Sequence, residues 1–258
     1  MFKSFSMDLA GRKLTVEVGR VAAQANGAAF MHYGDTVVLS TATASAKPRE
    51  GIDFFPLSVE YEEKFYSVGK IPGGFNKREG KASEHAILTS RVIDRPMRPL
   101  FPKDYRNDVT LVNMVMSVDP ECNPEIPAML GSSIATCISD IPFDGPCATT
   151  QVGLINGEYI INPTMAQKDV SDLQLTVAST REKVIMIEAG AKEVPEDKMI
   201  EAIFAAHELN QKVIAFFDTI VAECGKKKHE YQSFAVPQEL FDAIQEIVTP
   251  AEMEEAVF

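Results

Sequence analysis

The chain has 258 residues, of which 45% are hydrophobic and 24% charged, a length and composition that fit one large or two small globular domains. No apolar run approaches the roughly 20 residues that a membrane-spanning helix needs, and the N-terminus has no apolar region typical of a secretory signal. We therefore expect neither a membrane-spanning nor a secreted protein. The net charge of −12 argues, on average, against a polyanionic partner.

The cysteines and histidines show no metal-binding pattern. No two cysteines form a C-x-x-C pair, and the histidines are scattered along the chain (Cys122, Cys137, Cys147, Cys224; His32, His85, His207, His229). We expect reduced thiols in a cytoplasmic protein.

The first half of the chain is predicted to be mainly strands. Apolar and polar residues alternate in several segments, two of which flank the turn Tyr33-Gly34-Asp35 as a hairpin; the predicted strands span residues 14–20, 28–32, 36–43, 54–61 and 108–118. A helix is predicted over residues 79–94, with Ser83 as N-cap and Pro96 at its end. A second helix, over residues 124–139, has the small and apolar composition of a buried helix.

The second half predicts two more hairpins and a long helix. The dipeptide Asn156-Gly157 is a strong hairpin signal, and the paired segments are 149–155 with 159–161 and 173–178 with 183–188. The helix over residues 195–224 carries an apolar stripe at helical spacing, which we interpret as core. Together these elements indicate an α+β domain of two packed layers.

A composition break at residues 226–229 predicts a linker before the C-terminal segment. That segment, residues 237–257, is acidic, helical in pattern and interrupted at Pro250. Because the chain ends inside this pattern, we expect it to be part of a longer protein.

Positive charge is concentrated in residues 64–106, which hold ten basic and four acidic side chains in a chain of net charge −12. Such a segment is typical of a polyanion site, and a solvated surface face is the alternative.

This basic segment contains the glycine-rich stretch Gly69–Ser83 (GKIPGGFNKREGKAS). A P-loop is excluded, because Ala82 stands where the metal-binding hydroxyl should follow Gly80-Lys81. The dinucleotide pattern G-x-G-x-x-G is also absent.

The tip of this glycine-rich stretch carries Phe75, Asn76, Lys77 and Arg78. An aromatic ring beside two cations suits single-stranded nucleic acid, because bases stack on the ring and cations follow the phosphates. The alternative is an ordinary surface loop with a partly buried phenylalanine.

Three arginines of the following helix, Arg91, Arg95 and Arg98, lie at i, i+4 and i+7 and would share one face. With no acid at i+4 to pair them, they suit planar recognition of phosphate. A salt-bridged surface stripe is the alternative. Arg98 is the weakest of the three, because the neighbouring prolines would distort the last turn.

Three long stretches resemble the polynucleotide phosphorylases of the ribonuclease PH superfamily. They are GRVAAQANGAAFMHYGDTVVLSTATAS, KIPGGFNKREGKASEHAILTSRVIDRPMRPLFP and FDGPCATTQVGLINGEYIINPT. The resemblance covers essentially the whole chain. It implies a ribonuclease PH-like fold (ribosomal protein S5 domain 2-like). It also implies a polyribonucleotide nucleotidyltransferase that degrades mRNA from the 3′ end with inorganic phosphate and releases nucleoside diphosphates.

Members of this family contain two ribonuclease PH-like cores joined by a helical domain, then KH and S1 domains, and form a trimeric ring. The resemblance implies that residues 1–228 are the first core and that residues 229–258 are the linker and the start of the helical domain. It further implies single-stranded RNA and proteins of an RNA-degradation complex as partners. The full-length protein would be a cytoplasmic homotrimer without membrane attachment.

In the family, the phosphorolytic site lies mainly in the second core, with a serine-rich phosphate loop and aspartates that hold Mg²⁺. The resemblance implies that Lys168 and Gln174 occupy the two metal-aspartate positions, with Asp169 and Asp172 out of register. We therefore expect no catalytic and no metal-binding residue in this chain, which would be inactive alone.

The stretch Gly131-Ser132-Ser133 resembles the family's phosphate loop at a helix start, where Ser132 and Ser133 would hold an anion. A packing turn of small residues is the alternative.

The first core handles RNA in this family. Residues 75–78 resemble the channel constriction, which commonly reads Phe-Phe-Arg-Arg; Asn76 and Lys77 depart from that pattern and would weaken its stacking. The positions of the arginines resemble those that reach toward RNA near the second core's site. The implied RNA-binding set is Phe75, Lys77, Arg78, Arg91, Arg95 and Arg98. A purely structural ring scaffold is the alternative.

Overall fold

The first six strands form one sheet, in the order β1-β2-β3-β4-β6-β5. The computed structural model describes residues 1–258. The strands are β1 (Lys3–Leu9), β2 (Arg12–Val18), β3 (Gly27–Tyr33), β4 (Thr36–Ala44), β5 (Leu57–Glu63) and β6 (Val109–Ser117). Neighbours are antiparallel except β5 and β6, which are parallel, so the chain crosses over from β5 to β6. The strand β5 lies at the edge of the sheet.

The last four strands form a second, antiparallel sheet in the order β10-β9-β7-β8. They are β7 (Ala148–Ile155), β8 (Glu158–Ile161), β9 (Leu173–Ser179) and β10 (Val184–Ala191). Asn156 and Gly157 join β7 to β8 with φ angles of 51° and 83°. Positive φ at both positions is what a type I′ hairpin turn requires, which confirms the predicted hairpin.

Six α-helices complete the chain: α1 (Glu84–Met97), α2 (Glu125–Ile138), α3 (Met165–Val170), α4 (Glu196–Cys224), α5 (Gln238–Ile247) and α6 (Pro250–Val257). The glycine-rich stretch and α1 together make the crossover from β5 to β6. The basic segment therefore lies largely on one connection at the edge of the first sheet.

The helix α2 lies between the two sheets, packed against β3, β4 and β6 on one side and β7 on the other. All of its residues except Glu125 are buried. The largest core cluster, of 33 buried residues, contains the apolar side chains of α2 together with those of the first sheet and the later turns of α4. The expected α+β class and the buried character of this helix are confirmed.

The boundaries of α1 differ from the predicted ones. The helix begins at Glu84 rather than at residue 79, because the Ser83 hydroxyl accepts a hydrogen bond from the Ala86 amide and caps the first turn. Pro96 was predicted to end the helix, but it lies inside the last turn, where Pro96 and Met97 are buried. Two further elements, β1 and α3, were not predicted.

The segment predicted as a linker is attached to the core. The Lys228 ammonium donates to the carbonyls of Thr136, Cys137 and Ser139 at the C-terminal end of α2, at 3.2, 2.9 and 2.7 Å. The hydroxyls of Tyr231 and Ser233 both donate to the Asp104 carboxylate. The helices α5 and α6, in contrast, bury no residue. None of the helices combines the length and apolar character needed to cross a membrane.

Candidate nucleic-acid interface

The glycine-rich stretch forms an exposed loop that leads directly into α1. The Phe75 ring is fully exposed and not partly buried, as the surface-loop alternative had it. Lys77 and Arg78 are exposed as well, and Lys77 adopts a left-handed backbone conformation with φ of 50°. A large apolar ring and two cations thus face solvent together on a loop of few contacts.

The three arginines of α1 have different surroundings. Arg91 is exposed and forms no ion pair. Arg95 Nη1 lies 2.8 Å from Glu188 Oε2 of β10. Arg98 donates two hydrogen bonds to the Asp94 carboxylate, at 2.7 and 3.0 Å. It also donates to the backbone carbonyls of Phe55 and Leu57, at the start of β5.

The expectation that no acid pairs these arginines is therefore wrong for two of them. Asp94 lies at i−4 from Arg98, on the same helix face, and holds its guanidinium against the protein. Arg91 is the one arginine of the three that is free to meet a phosphate group without breaking an ion pair.

The expected position of Ser132 and Ser133 at a helix start is wrong. Both lie in the middle of α2 and are fully buried. The Ser132 hydroxyl donates to Asn113 Oδ1 at 2.9 Å, and the Ser133 hydroxyl accepts from the Cys147 amide at 3.0 Å. These contacts favour the packing interpretation over an anion site.

The start of α2 holds a different polar group, the carboxylate of Glu125. Its Oε2 atom accepts from Asn123 Nδ2 at 2.8 Å and from Gln151 Nε2 at 2.9 Å, and it lies 3.5 Å from Lys168 Nζ. Its Oε1 atom lies 3.4 Å from His85 Nε2. The side chains of Glu125 and Lys168 are only 17% and 18% exposed, so this is a nearly buried ion pair.

The balance of burial and charge keeps Glu125 ionised. Burial raises the pKa of its carboxyl, but the Lys168 ammonium and the amide donors of Gln151 and Asn123 lower it more, so that the pKa lies below its usual range. The first turn of a helix also favours a negative charge.

A cavity of about 150 Å³ opens beside this carboxylate, between α1, α2 and the second sheet. Its polar lining comprises His85, Thr89, Glu125, Gln151, Thr176 and Glu188. Sequence reasoning missed the site, although one signal was present: Glu125 is a lone acid at the start of an otherwise apolar helix pattern.

The chain's residues do not fit a Mg²⁺ site. Of the two positions aligned with metal aspartates, Lys168 presents an ammonium group to Glu125, and Gln174 is exposed and donates to the Lys168 carbonyl. Asp172 pairs with Lys192 at 3.7 Å. No group of three or more His, Cys, Asp or Glu side chains is arranged to hold a metal ion.

Two family models match consecutive parts of the chain. Domain 1 of the 3′ exoribonuclease family matches residues 10–142, and domain 2 of the same family matches residues 145–208. The first match runs from the start of β2 through α2, and the second covers the four-stranded sheet and the first part of α4.

Curated relatives match over nearly the whole chain. A protein of Lachnoclostridium phytofermentans named polyribonucleotide nucleotidyltransferase is 81% identical over 258 residues, which is 100% of this chain and 37% of that protein. A protein of the same name from Ruminiclostridium cellulolyticum is 61% identical over 246 residues, or 95% of this chain and 35% of that protein. The chain thus spans about a third of the length of these relatives.

A solved structure supports the fold. The crystal structure of rice (Oryza sativa) Rrp46 superposes with a TM-score of 0.64 at 13% identity, covering 86% of this chain and 94% of that chain. At this identity the likeness concerns the fold alone, and together with the family matches it confirms the expected ribonuclease PH-like fold.

Proposed function

Since this chain belongs to the 3′ exoribonuclease family, we propose that it is the RNA-guiding and ring-forming part of a cytoplasmic polyribonucleotide nucleotidyltransferase. In this proposal the longer protein degrades single-stranded RNA from its 3′ end with inorganic phosphate and assembles as a homotrimer. Proteins of an RNA-degradation complex are further candidate partners. The phosphorolytic chemistry and its Mg²⁺ belong to a part of the protein outside this chain, which would be inactive alone.

The observation that carries the proposal is the exposed loop of residues 69–83. Phe75 offers a stacking face, at about 1–3 kcal/mol per base, and Lys77 and Arg78 offer charge for the phosphates beside it. Arg91 adds a free guanidinium on the helix that the loop enters. We place Phe75, Lys77, Arg78 and Arg91 at the centre of the RNA contact.

Arg95 and Arg98 have a lesser place in this proposal. RNA would have to compete with Glu188 for Arg95, whereas Arg98 is held by Asp94 and two carbonyls of the chain. We propose that Arg95 exchanges partners when RNA binds and that Arg98 mainly secures α1 against β5.

The test compares RNA affinity of the chain and its variants by fluorescence anisotropy with labelled oligo(A), over a series of salt concentrations. We expect Lys77→Ala/Arg78→Ala and Arg91→Ala/Arg95→Ala each to weaken binding. Each lost phosphate contact should also flatten the slope of log affinity against log salt by about 0.7.

The matched control is Lys212→Ala/Lys227→Ala, which removes two positive charges from exposed positions elsewhere. The control should change affinity and salt slope much less. Unchanged RNA affinity and an unchanged salt slope in both test variants would contradict the RNA-binding role. That result would favour the alternative, a scaffold that builds the ring without contacting RNA.

A further inference from the structure

The Glu125 carboxylate is surrounded by hydrogen-bond donors and one cation. Three donors from different parts of the chain converge on its Oε2 atom: the Asn123 and Gln151 amides at 2.8 and 2.9 Å and the Lys168 ammonium at 3.5 Å. One ammonium and two side-chain amides around a nearly buried point form the kind of environment that recognises phosphate or carboxylate. Here the anion is supplied by the chain itself.

The other acidic and titratable side chains around the cavity also have partners. Glu188 lines the cavity but pairs with Arg95 at 2.8 Å. His85 lies 3.5 Å from Glu63 as well as 3.4 Å from Glu125. Lys168 is the one ammonium facing Glu125, and its side chain is 18% exposed. Removing the Glu125 charge would leave that ammonium nearly buried without a counter-ion, at a substantial cost in free energy.

We propose that Glu125 is a built-in anion that closes this pocket to inorganic phosphate. With Glu125 present, its carboxylate satisfies the donors and its negative charge repels a second anion. Without it, the cavity of about 150 Å³, which Gln151 already lines, gains the volume of the lost side chain and extends to the donors Asn123 and Lys168 behind it. The pocket then becomes a site for a small oxyanion. This proposal concerns phosphate alone and does not depend on the RNA-guiding role.

The test measures binding of inorganic phosphate to the 258-residue chain and its variants by isothermal titration calorimetry and by thermal unfolding. Potassium chloride of equal ionic strength is the control for general salt effects. We expect no phosphate binding by the wild type in the millimolar range. Glu125→Ala should bind at least about tenfold more tightly than the wild type and unfold a few degrees higher in phosphate than in chloride.

Two further variants identify the site. Glu125→Ala/Lys168→Met should lose the gained affinity, because the ammonium is gone. Glu125→Gln should gain little, because its amide still fills the space. If Glu125→Ala does not fold, Glu125→Ser tests the same expectation with a polar group left beside Lys168. Two outcomes would overturn the proposal. One is phosphate binding by the wild type that depends on Lys168, and the other is a folded Glu125→Ala or Glu125→Ser variant that gains no affinity for phosphate.

Discussion

At the scale of single residues, the partner of a charged side chain decides what that side chain is free to do. Arg98 is fixed by Asp94 four residues earlier, a pairing that follows the helical period and was open to prediction from the sequence. Arg95 is paired with Glu188, which lies 93 residues further along the chain and is brought near only by the fold. The exposed guanidinium of Arg91 forms no ion pair. The expectation that no acid pairs these arginines was wrong for Arg95 because it considered the helix alone.

Glu125 makes a pH-dependent contribution to stability at this same scale. Because the pKa of its carboxyl is lowered in the folded chain, its contribution is present above the unfolded-state pKa of about 4.3 and is lost as pH falls through the folded-state value. We expect Glu125→Gln to lower the free energy of unfolding by about 1–3 kcal/mol at neutral pH. The difference from wild type should shrink steadily below about pH 4.

Urea unfolding at a series of pH values measures this difference. His85 and Lys168 both face the carboxylate, and Glu63 faces His85. The comparison is therefore repeated in a His85→Gln background, which removes the imidazole. A gap between wild type and Glu125→Gln that stays constant from pH 7 down to the acid limit would show that the ion pair does not stabilise the fold.

At the scale of elements, α2 depends on close approach to the first sheet. A Cβ atom added at Gly131 would lie 2.8 Å from Ser40 Cβ and 2.9 Å from Met31 Cγ, closer than carbon atoms pack. Beside it, Ser132 and Ser40 both donate to Asn113 Oδ1. The small side chains of the Gly-Ser-Ser stretch allow close packing between a buried helix and strands that lie far away in sequence.

We expect Gly131→Ala to destabilise the chain, although alanine is the better helix former. Overpacking typically costs about 1–3 kcal/mol, more than the roughly 1 kcal/mol that alanine gains in helix propensity. The matched control is Gly190→Ala in β10, where an added Cβ meets nothing within 4 Å. Urea unfolding should show a loss for Gly131→Ala and a change within about 0.5 kcal/mol for Gly190→Ala. Equal stability of the two variants would contradict the packing role.

At the scale of the whole molecule, the packed part of the chain extends beyond the expected boundary at residue 228. Lys228, Tyr231 and Ser233 bond to α2 and to the loop before β6. The helices α5 and α6 bury no residue, and α5 leaves Leu240, Phe241, Ile244 and Ile247 exposed. The packed core therefore ends close to Pro237, and the exposed C-terminal helices begin there.

This boundary predicts the effect of shortening the chain. Ending it after Pro237 should leave the thermal midpoint unchanged, because no buried contact is lost. Ending it after Gly225 should lower the free energy of unfolding by at least about 2 kcal/mol, because the three carbonyls bound by Lys228 lose a charged donor.

Point variants separate the Lys228 contacts from the loss of chain length. Lys228→Met should reproduce a large part of the loss, whereas Lys227→Met, at an exposed neighbour, should not. Equal stability of the two shortened chains would place the boundary at residue 225 or earlier.

The sequence by itself determined what depends on neighbours along the chain: the alternation of most strands, the Ser83 cap, the Asn156-Gly157 turn and the exposed character of the loop that carries Lys77 and Arg78. These features follow from backbone preferences and periodicity, which act over a few residues. Its long motifs also identified the family.

Only the tertiary structure decided the parallel pairing of β5 with β6, the partner of Arg95 and the meeting of Glu125 with Lys168. Each of these contacts joins elements that are distant in sequence. Their geometry is fixed by how α2 packs between the two sheets, and no local pattern in the sequence encodes that packing.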